Sequence, residues 1–480
     1  MHALATGIMR QLKRSVDYAD VRIVTSSHER LVVENGVVKR IATSHDRGCG
    51  IRAFHHGGWG FAATHHLTLP RLRQTAADAV AIAKQAADAC RSTTRLAPLP
   101  PQRGAFTSRW IIDPFTVPIE KKLDYLFWAC QELRSSPHIS VAIAELAFYR
   151  TEKLFASTEG SFIEQTMIES GASLEAVATL GHEMQRRTYP TSHHGATTQA
   201  GYEYVKELDL VGGAKKIRGE VVSLLRAKEC PTKVTTVILD SDQVIMQLHE
   251  SCGHPAELDR VFGEEISLAG GSFLSTDKLG RFRYGSPLVS ITADATLPGG
   301  LGTFGYDDEG VPAQRAPIVE RGRFVGYLSS RETAARLQRH SSGAMRAADW
   351  SVTPLIRMTN VNLEPGAGTL QDLIADTKDG ILIATNKSWS IDDLRLNFQF
   401  GNEIAWEIKR GRLGQPLKNP VYTGITPEFW GRCSGVAGRE AWRLWGVTNC
   451  GKGEPMQSIH VGHGASPARF ERVQIGSGRN

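Results

Sequence analysis

The chain has 480 residues, 41% hydrophobic and 22% charged, with a formal net charge of +6 at pH 7. That length exceeds one ordinary hydrophobic core and calls for two domains. The charge is too modest, and too free of Lys/Arg clusters with interleaved aromatics, for a nucleic-acid-binding surface. No run approaches the ~20 apolar residues of a membrane helix, so no membrane association is expected.

In chain order, Met1–Asp20 lacks an apolar signal core. Residues to about 66 read as β-rich, with strands at Asp20–Ser26 and Arg30–Glu34. Asn35-Gly36 between valine-bearing runs predicts a two-residue hairpin turn. His55-His56-Gly57-Gly58 reads as a second turn whose histidines decorate a loop. Pro70–Arg91 is Ala-rich, free of breakers and led by proline, which predicts a helix. Ile119–Ser135 predicts another. Ile139–Thr179 alternates apolar with polar residues and reads as an antiparallel meander turning at Glu159-Gly160 and Ser170-Gly171. His182-Glu183 and His193-His194 are too far apart for one helical turn and read as surface loops. Tyr202–Lys228 reads as helical, broken near Gly212-Gly213.

The domain boundary is expected near Pro231, giving domains 1–230 and 231–480. Val234–Leu239 reads as a buried strand. Asp240 and Gln243 suggest a capping box for the next helix, whose apolar face is Val244, Ile245 and Leu248. The remainder is rich in Gly, Pro and strand patterns, with hairpins turning at Arg321-Gly322 and Arg410-Gly411. The expected class is therefore α+β: an N-terminal domain of antiparallel strands and long helices, then a β-rich, barrel-like domain. Seven cysteines, at 49, 90, 130, 230, 252, 433 and 450, include no CxxC pair. They fit free thiols in a reducing compartment, and a cytoplasmic location is expected.

The run His249-Glu250-Ser251-Cys252-Gly253-His254 carries the chemistry. Two imidazoles can hold a metal ion while a carboxylate takes a proton from water. Residues five apart on a regular helix diverge by about 140° around the axis, so one ion cannot be shared without distortion. A π-type wide turn brings five-apart residues nearly into register. Gly253 tolerates unusual backbone angles, and Pro255 interrupts a helix at this point. Catalytic zinc takes three protein ligands and a water. The candidates for the third are Cys450, flanked by Gly451 and Lys452, then His460 and His463, and last Cys252.

With these residues in view, the chain resembles the TldD/PmbA metallopeptidases, TldD branch. The motif is carried by His249, Glu250, Gly253, His254 and Glu257, and the late element by Cys450-Gly451-Lys452. Asp307-Asp308-Glu309-Gly310-Val311-Pro312, Arg357-Met358-Thr359-Asn360, and Phe398-Gln399-Phe400 with Glu403 and Ile408 look like further family blocks. Gly50-Ile51-Arg52 and Gly58-Trp59-Gly60-Phe61-Ala62 look like its N-terminal domain. The resemblance implies a Zn2+-dependent peptidase with His249, His254 and Cys450 as ligands and Glu250 as general base. Its substrates would be unfolded or short peptides, and its partner a related inactive TldE/PmbA-type subunit or a second copy. Arg357 and Asn360 are candidates for substrate or site support, and Asp307–Glu309 for orienting a ligand histidine. Two rival readings are a non-catalytic peptide-binding partner subunit, against which the intact His249, Glu250 and His254 argue, and a structural-zinc modulator of DNA topology, disfavoured by the missing basic patch.

Overall fold

A computed structural model describes residues 1–89, 94–192, 195–267 and 270–478. The N-terminal part is built on a long, mostly antiparallel sheet. Its strands lie in the order Gly58–Thr64, Val37–His55, Tyr18–Glu34, Ile139–Ser157, Phe162–Leu180 and Arg103–Thr107, the last pair parallel. Glu183–Tyr189 and Ala196–Thr198 also pair with Phe162–Leu180. The helices His2–Leu12 and Leu69–Ala89 bury small apolar residues (Ala5, Ile8, Ala76, Ala79, Ala83) in one core against this sheet. Helices Ile119–Leu133 and Leu210–Leu224 enclose a second core around Leu126, Phe148 and Ile217.

Four local expectations are corrected. Asp20–Ser26 and Arg30–Glu34 are one continuous strand, Tyr18–Glu34. Ser170-Gly171 is mid-strand, not a turn. A Cβ on Gly171 would lie 2.2 Å from Thr197 Oγ1, so glycine is there to admit the neighbouring strand. The helical break falls at Asp209 rather than at Gly212-Gly213. Asp209 takes φ +43° and caps the helix Leu210–Leu224 by accepting from Gly212 N–H, while Gly213 inside that helix lets the Tyr189 ring pack close. Asp240 caps its helix through Ser241 N–H, but Gln243 is turned inward to Tyr422 and Asn402, so no capping box forms. The turns at Asn35-Gly36, Arg321-Gly322 and Arg410-Gly411 are present, each with both residues at positive φ, as type I′ turns require. The Arg91 end of the second helix, and His193-His194, lie outside the described residues.

The C-terminal part is β-rich and contains a closed five-stranded barrel. Asp379–Ile391 pairs with Lys233–Leu239, which pairs with Ala468–Ser477, then Pro420–Ile425, then Asn397–Lys409, which returns to Asp379–Ile391. Helix Ser241–Leu248 runs directly out of the strand Lys233–Leu239, and all eight of its residues are buried. Its Val244, Ile245, Met246 and Leu248 join a core with Phe400, Tyr422, Phe429, Trp430 and Phe470. Burial of these apolar side chains anchors the helix in the core beneath the turn beyond Leu248. The two parts are joined by ion pairs: in the buried one Arg187 Nη1 donates to Glu403 Oε2 at 2.7 Å, and in a half-buried one Lys153 Nζ donates to Asp308 Oδ1 at 2.6 Å. Among the described residues, no helix is long and apolar enough to cross a membrane.

Candidate metal centre

Past Leu248 the helix widens. His249–Gly253 form a single π turn, closed by the His254 N–H donating to the His249 carbonyl, and His254–Ala256 tighten into a 3₁₀ turn. The wider turn brings the two imidazoles together, with ring centroids 4.9 Å apart and planes at 86°. Pro255 sits where its missing N–H costs nothing, at the start of the 3₁₀ turn. Gly253 has an ordinary right-handed φ of −70°, so conformational freedom is not why it is glycine. A Cβ there would lie 2.0 Å from Met358 Sδ, so it is required for close packing.

Cys450 arrives from the strand Arg443–Lys452, paired with Gln457–Ala465. A register shift between Val447 and Cys450 sets it opposite Ile459. One donor atom each from His249, His254 and Cys450 lies within 4.8 Å of the others, and the three residues are 4%, 3% and 2% exposed. Cys450 Sγ is 3.7 Å from His254 Nε2. Two neutral nitrogens and one thiolate at this separation are a donor set suited to a tetrahedral ion with an open fourth position.

The surrounding hydrogen bonds decide which nitrogens face the centre. His463 Nδ1 lies 3.0 Å from the Val361 carbonyl, which can only accept, so His463 Nε2 holds the lone pair. That Nε2 is 2.8 Å from His249 Nδ1, which must then donate, leaving the lone pair of His249 on Nε2, available to a metal. His254 Nδ1 lies 3.1 Å from Glu257 Oε2 and donates likewise, leaving Nε2 toward Cys450. Glu257 Oε2 also accepts from Arg260 Nε at 2.9 Å and Lys452 Nζ at 3.1 Å.

Charges around the centre are tuned by the same groups. Burial raises the Cys450 thiol, but the Arg357 guanidinium and His254 outweigh it and hold the thiol below its ordinary value. Arg357 also donates to the Cys450 carbonyl and, at 3.1 Å, to the Gln457 carbonyl. Burial holds the His249 imidazole below the usual range, which keeps it neutral. Glu250 is buried, yet His249 and the Arg395 guanidinium overcome the upward pull of burial and keep the carboxyl below its usual value. Arg395 Nη1 donates directly to Glu250 Oε2.

The remaining candidates lie elsewhere. His463 touches His249 from behind and is not one of the three converging donors. His460 faces away, with Nδ1 2.6 Å from Glu169 Oε2 on the N-terminal sheet. Cys252 packs against Ser251 and Tyr284, its thiol pushed up to about 12 by burial. Asp307, Asp308 and Glu309 bond to groups other than His249 and His254. Asp307 accepts from the Glu309, Val311 and Met345 N–H groups, Asp308 pairs with Lys153, and Glu309 accepts from the Arg331 N–H. Asn360 ties Gly302, Thr303 and Asp294 together. The hydrogen bonds to the His249 and His254 rings come from His463 and Glu257 instead. Glu257 is visible in sequence as part of the motif, whereas His463, read there as a rival ligand, supports His249 from 214 residues away, a contact with no local signal. Asp17, His55 and His56 form a second donor trio on an exposed turn.

Residues 232–477, just over half the chain, match the PmbA/TldA metallopeptidase C-terminal domain, and residues 19–83 match domain 1 of the same family. A metalloprotease of Methanocaldococcus jannaschii is 28% identical over 94% of this chain and 96% of its own. A metalloprotease TldD homolog of Haemophilus influenzae is 27% identical over 96% and 93%. A zinc metalloprotease TldD homolog of Saccharolobus solfataricus is 22% identical over 96% of both. The solved structure of TldE from Thermococcus kodakarensis superposes with a TM-score of 0.77 at 16% identity, covering 98% of this chain and 100% of that one. A Thermotoga maritima protein proposed as a modulator of DNA gyrase gives 0.77 at 15% identity, covering 99% of both. The chain therefore belongs to the PmbA/TldA metallopeptidase family and is a metalloprotease.

Proposed function

We propose that the metal is Zn2+, held by His249, His254 and Cys450, and that Glu250 is the general base of a peptidase acting on unfolded or short peptides. The observation that carries this reading is the convergence of the three donor atoms with both Nδ1 protons committed to acceptors, so that a lone pair of each ring faces inward. The zinc metalloprotease among the relatives supports the choice of ion. Bound there, zinc supplies the Lewis acidity that lets water lose a proton near neutral pH and that polarises a carbonyl.

The chain's own residues do the rest. Glu250 accepts a proton as the water oxygen bonds to the carbonyl carbon and the π electrons move to the carbonyl oxygen. The same carboxyl returns that proton to the amide nitrogen as the C–N bond breaks. Arg357 favours the thiolate of Cys450 over the thiol, and Glu257 and His463 hold the ring orientations. A peptide binding by strand addition would contribute main-chain bonds and little side-chain preference.

We further propose that the folding units divide at 230/231 and that the protein works in a reducing cytoplasm. The six cysteines within the described residues are all free and buried. The likeness to TldE supports pairing with a related subunit, with self-pairing as the alternative. Metal analysis and a peptide-cleavage assay on Glu250→Gln test the central reading. Retained zinc with lost cleavage is expected, and full activity would refute the base.

A further inference from the structure

Arg395 occupies an unusual place. It lies in the tight turn between the strands Asp379–Ile391 and Asn397–Lys409, and takes φ +64°, a region that L side chains rarely adopt. The turn is braced from several sides. The Asp392 carboxylate accepts from Leu396 N–H at 2.7 Å and Asn397 N–H at 3.0 Å, and the Arg395 N–H donates to the Asp392 carbonyl at 2.9 Å. Thr426 Oγ1 donates to the Arg395 carbonyl at 2.8 Å, and the Thr426 N–H to the Leu396 carbonyl at 2.8 Å. This bracing delivers a long cationic side chain, 5% exposed, onto Glu250, whose side chain is 6% exposed. Strained backbone that the surroundings over-determine is a recurrent mark of functional positions.

A carboxylate beside a cation has an obvious competing fate. Glu250 follows His249 directly in the chain, at the start of the same π turn. A divalent ion held by His249 would attract this buried anion, and its binding would fill the position that water needs. We propose that Arg395 is a positioning residue that holds Glu250 off the metal, so that the carboxylate remains a proton acceptor and does not become a fourth ligand. The guanidinium offers Glu250 a competing, charge-assisted partner fixed by a strained turn. The inference rests on the reading of His249, His254 and Cys450 as ligands and Glu250 as base.

The test uses full-length protein loaded with Co2+, whose visible spectrum reports ligand number and type. Arg395→Met is expected to keep one metal equivalent and a KM near wild type, to lose about 10- to 100-fold in kcat, and to show a changed Co2+ spectrum as Glu250 enters the coordination sphere. Adding Glu250→Gln to Arg395→Met should restore the spectrum toward wild type, and Arg395→Lys should retain the wild-type spectrum and recover most of kcat. Wild-type kcat in Arg395→Met, or a loss of kcat with the wild-type spectrum, overturns the proposal. If Arg395→Met does not fold, Arg395→Lys is read alone: the wild-type spectrum with partial kcat supports the proposal, and the spectrum expected of a Glu-ligated ion overturns it. Full activity of Glu250→Gln alone would instead sink the underlying base assignment.

Discussion

His463 gives the most discriminating substitution, because its two ring nitrogens do different work. Nδ1 donates to Val361 O at 3.0 Å, and Nε2 accepts from His249 Nδ1 at 2.8 Å. A Gln amide oxygen reaches roughly the Nε2 position, and an Asn amide roughly the Nδ1 position. His463→Gln therefore keeps the acceptor for His249 and gives up the bond to Val361. His463→Asn does the reverse. Leaving the buried His249 N–H without an acceptor costs about 1–3 kcal/mol. Alternatively, the ring shifts its proton to Nε2 and loses the lone pair aimed at the metal. At about 1.4 kcal/mol per tenfold, metal affinity should fall about 5- to 140-fold in His463→Asn, and remain within about threefold in His463→Gln by the same conversion. Competition against a chromophoric chelator measures both, and urea unfolding of the metal-free proteins checks that the two variants have similar stability. Equal losses of affinity in the two, or unchanged affinity in His463→Asn, would refute the tautomer argument.

Other substitutions have outcomes set by the same geometry. Gly253→Ala drives a methyl into Met358 Sδ at 2.0 Å and should cost about 1–3 kcal/mol with loss of metal; Met358→Ala in the same chain should recover part of it, read by metal content and urea midpoint. Glu257→Gln leaves Lys452 and Arg260 buried without their shared carboxylate and should destabilise by about 3–5 kcal/mol, measured by urea titration. Although burial pulls the Glu257 carboxyl upward, Lys452 and His254 hold it well below its usual value. Its contribution is thus present above the unfolded pKa of about 4.3 and is lost as pH falls below that, so Glu257→Gln should have a flatter acid limb than wild type. Leu248→Ala beneath the metal turn is fully buried and should cost about 2–5 kcal/mol, with the urea midpoint as readout.

Much of this architecture is legible in the sequence because local signals agree with tertiary demand. Asn35-Gly36 and Arg410-Gly411 sit at turns because both of their residues must take positive φ. The need for a widened turn comes from the five-residue spacing of His249 and His254, and that spacing is satisfied by one π turn. Sequence reasoning fails where glycine serves packing rather than conformation. Gly171, Gly213 and Gly253 each admit a neighbour (Thr197, Tyr189 and Met358), and no local pattern distinguishes that use from a turn or a break. Gln243 misleads for a related reason, since its partners Tyr422 and Asn402 are distant in sequence. The support around the candidate ligands is hidden likewise. Arg357 and His463 are candidates in the sequence, but their partners, and Arg395 altogether, come only through the barrel and the late hairpin, which bring together positions more than 90 residues apart.

The proposed chemistry requires a single ion gripped by the π turn and the late hairpin together. Anomalous diffraction at the zinc edge from crystals of the purified protein tests this directly. The expected result is one strong peak about 2.0–2.1 Å from a nitrogen of His249 and of His254 and about 2.3 Å from the Cys450 sulfur. A peak confined to Asp17, His55 and His56, or a zinc at the π turn with Cys450 outside bonding distance, would contradict it.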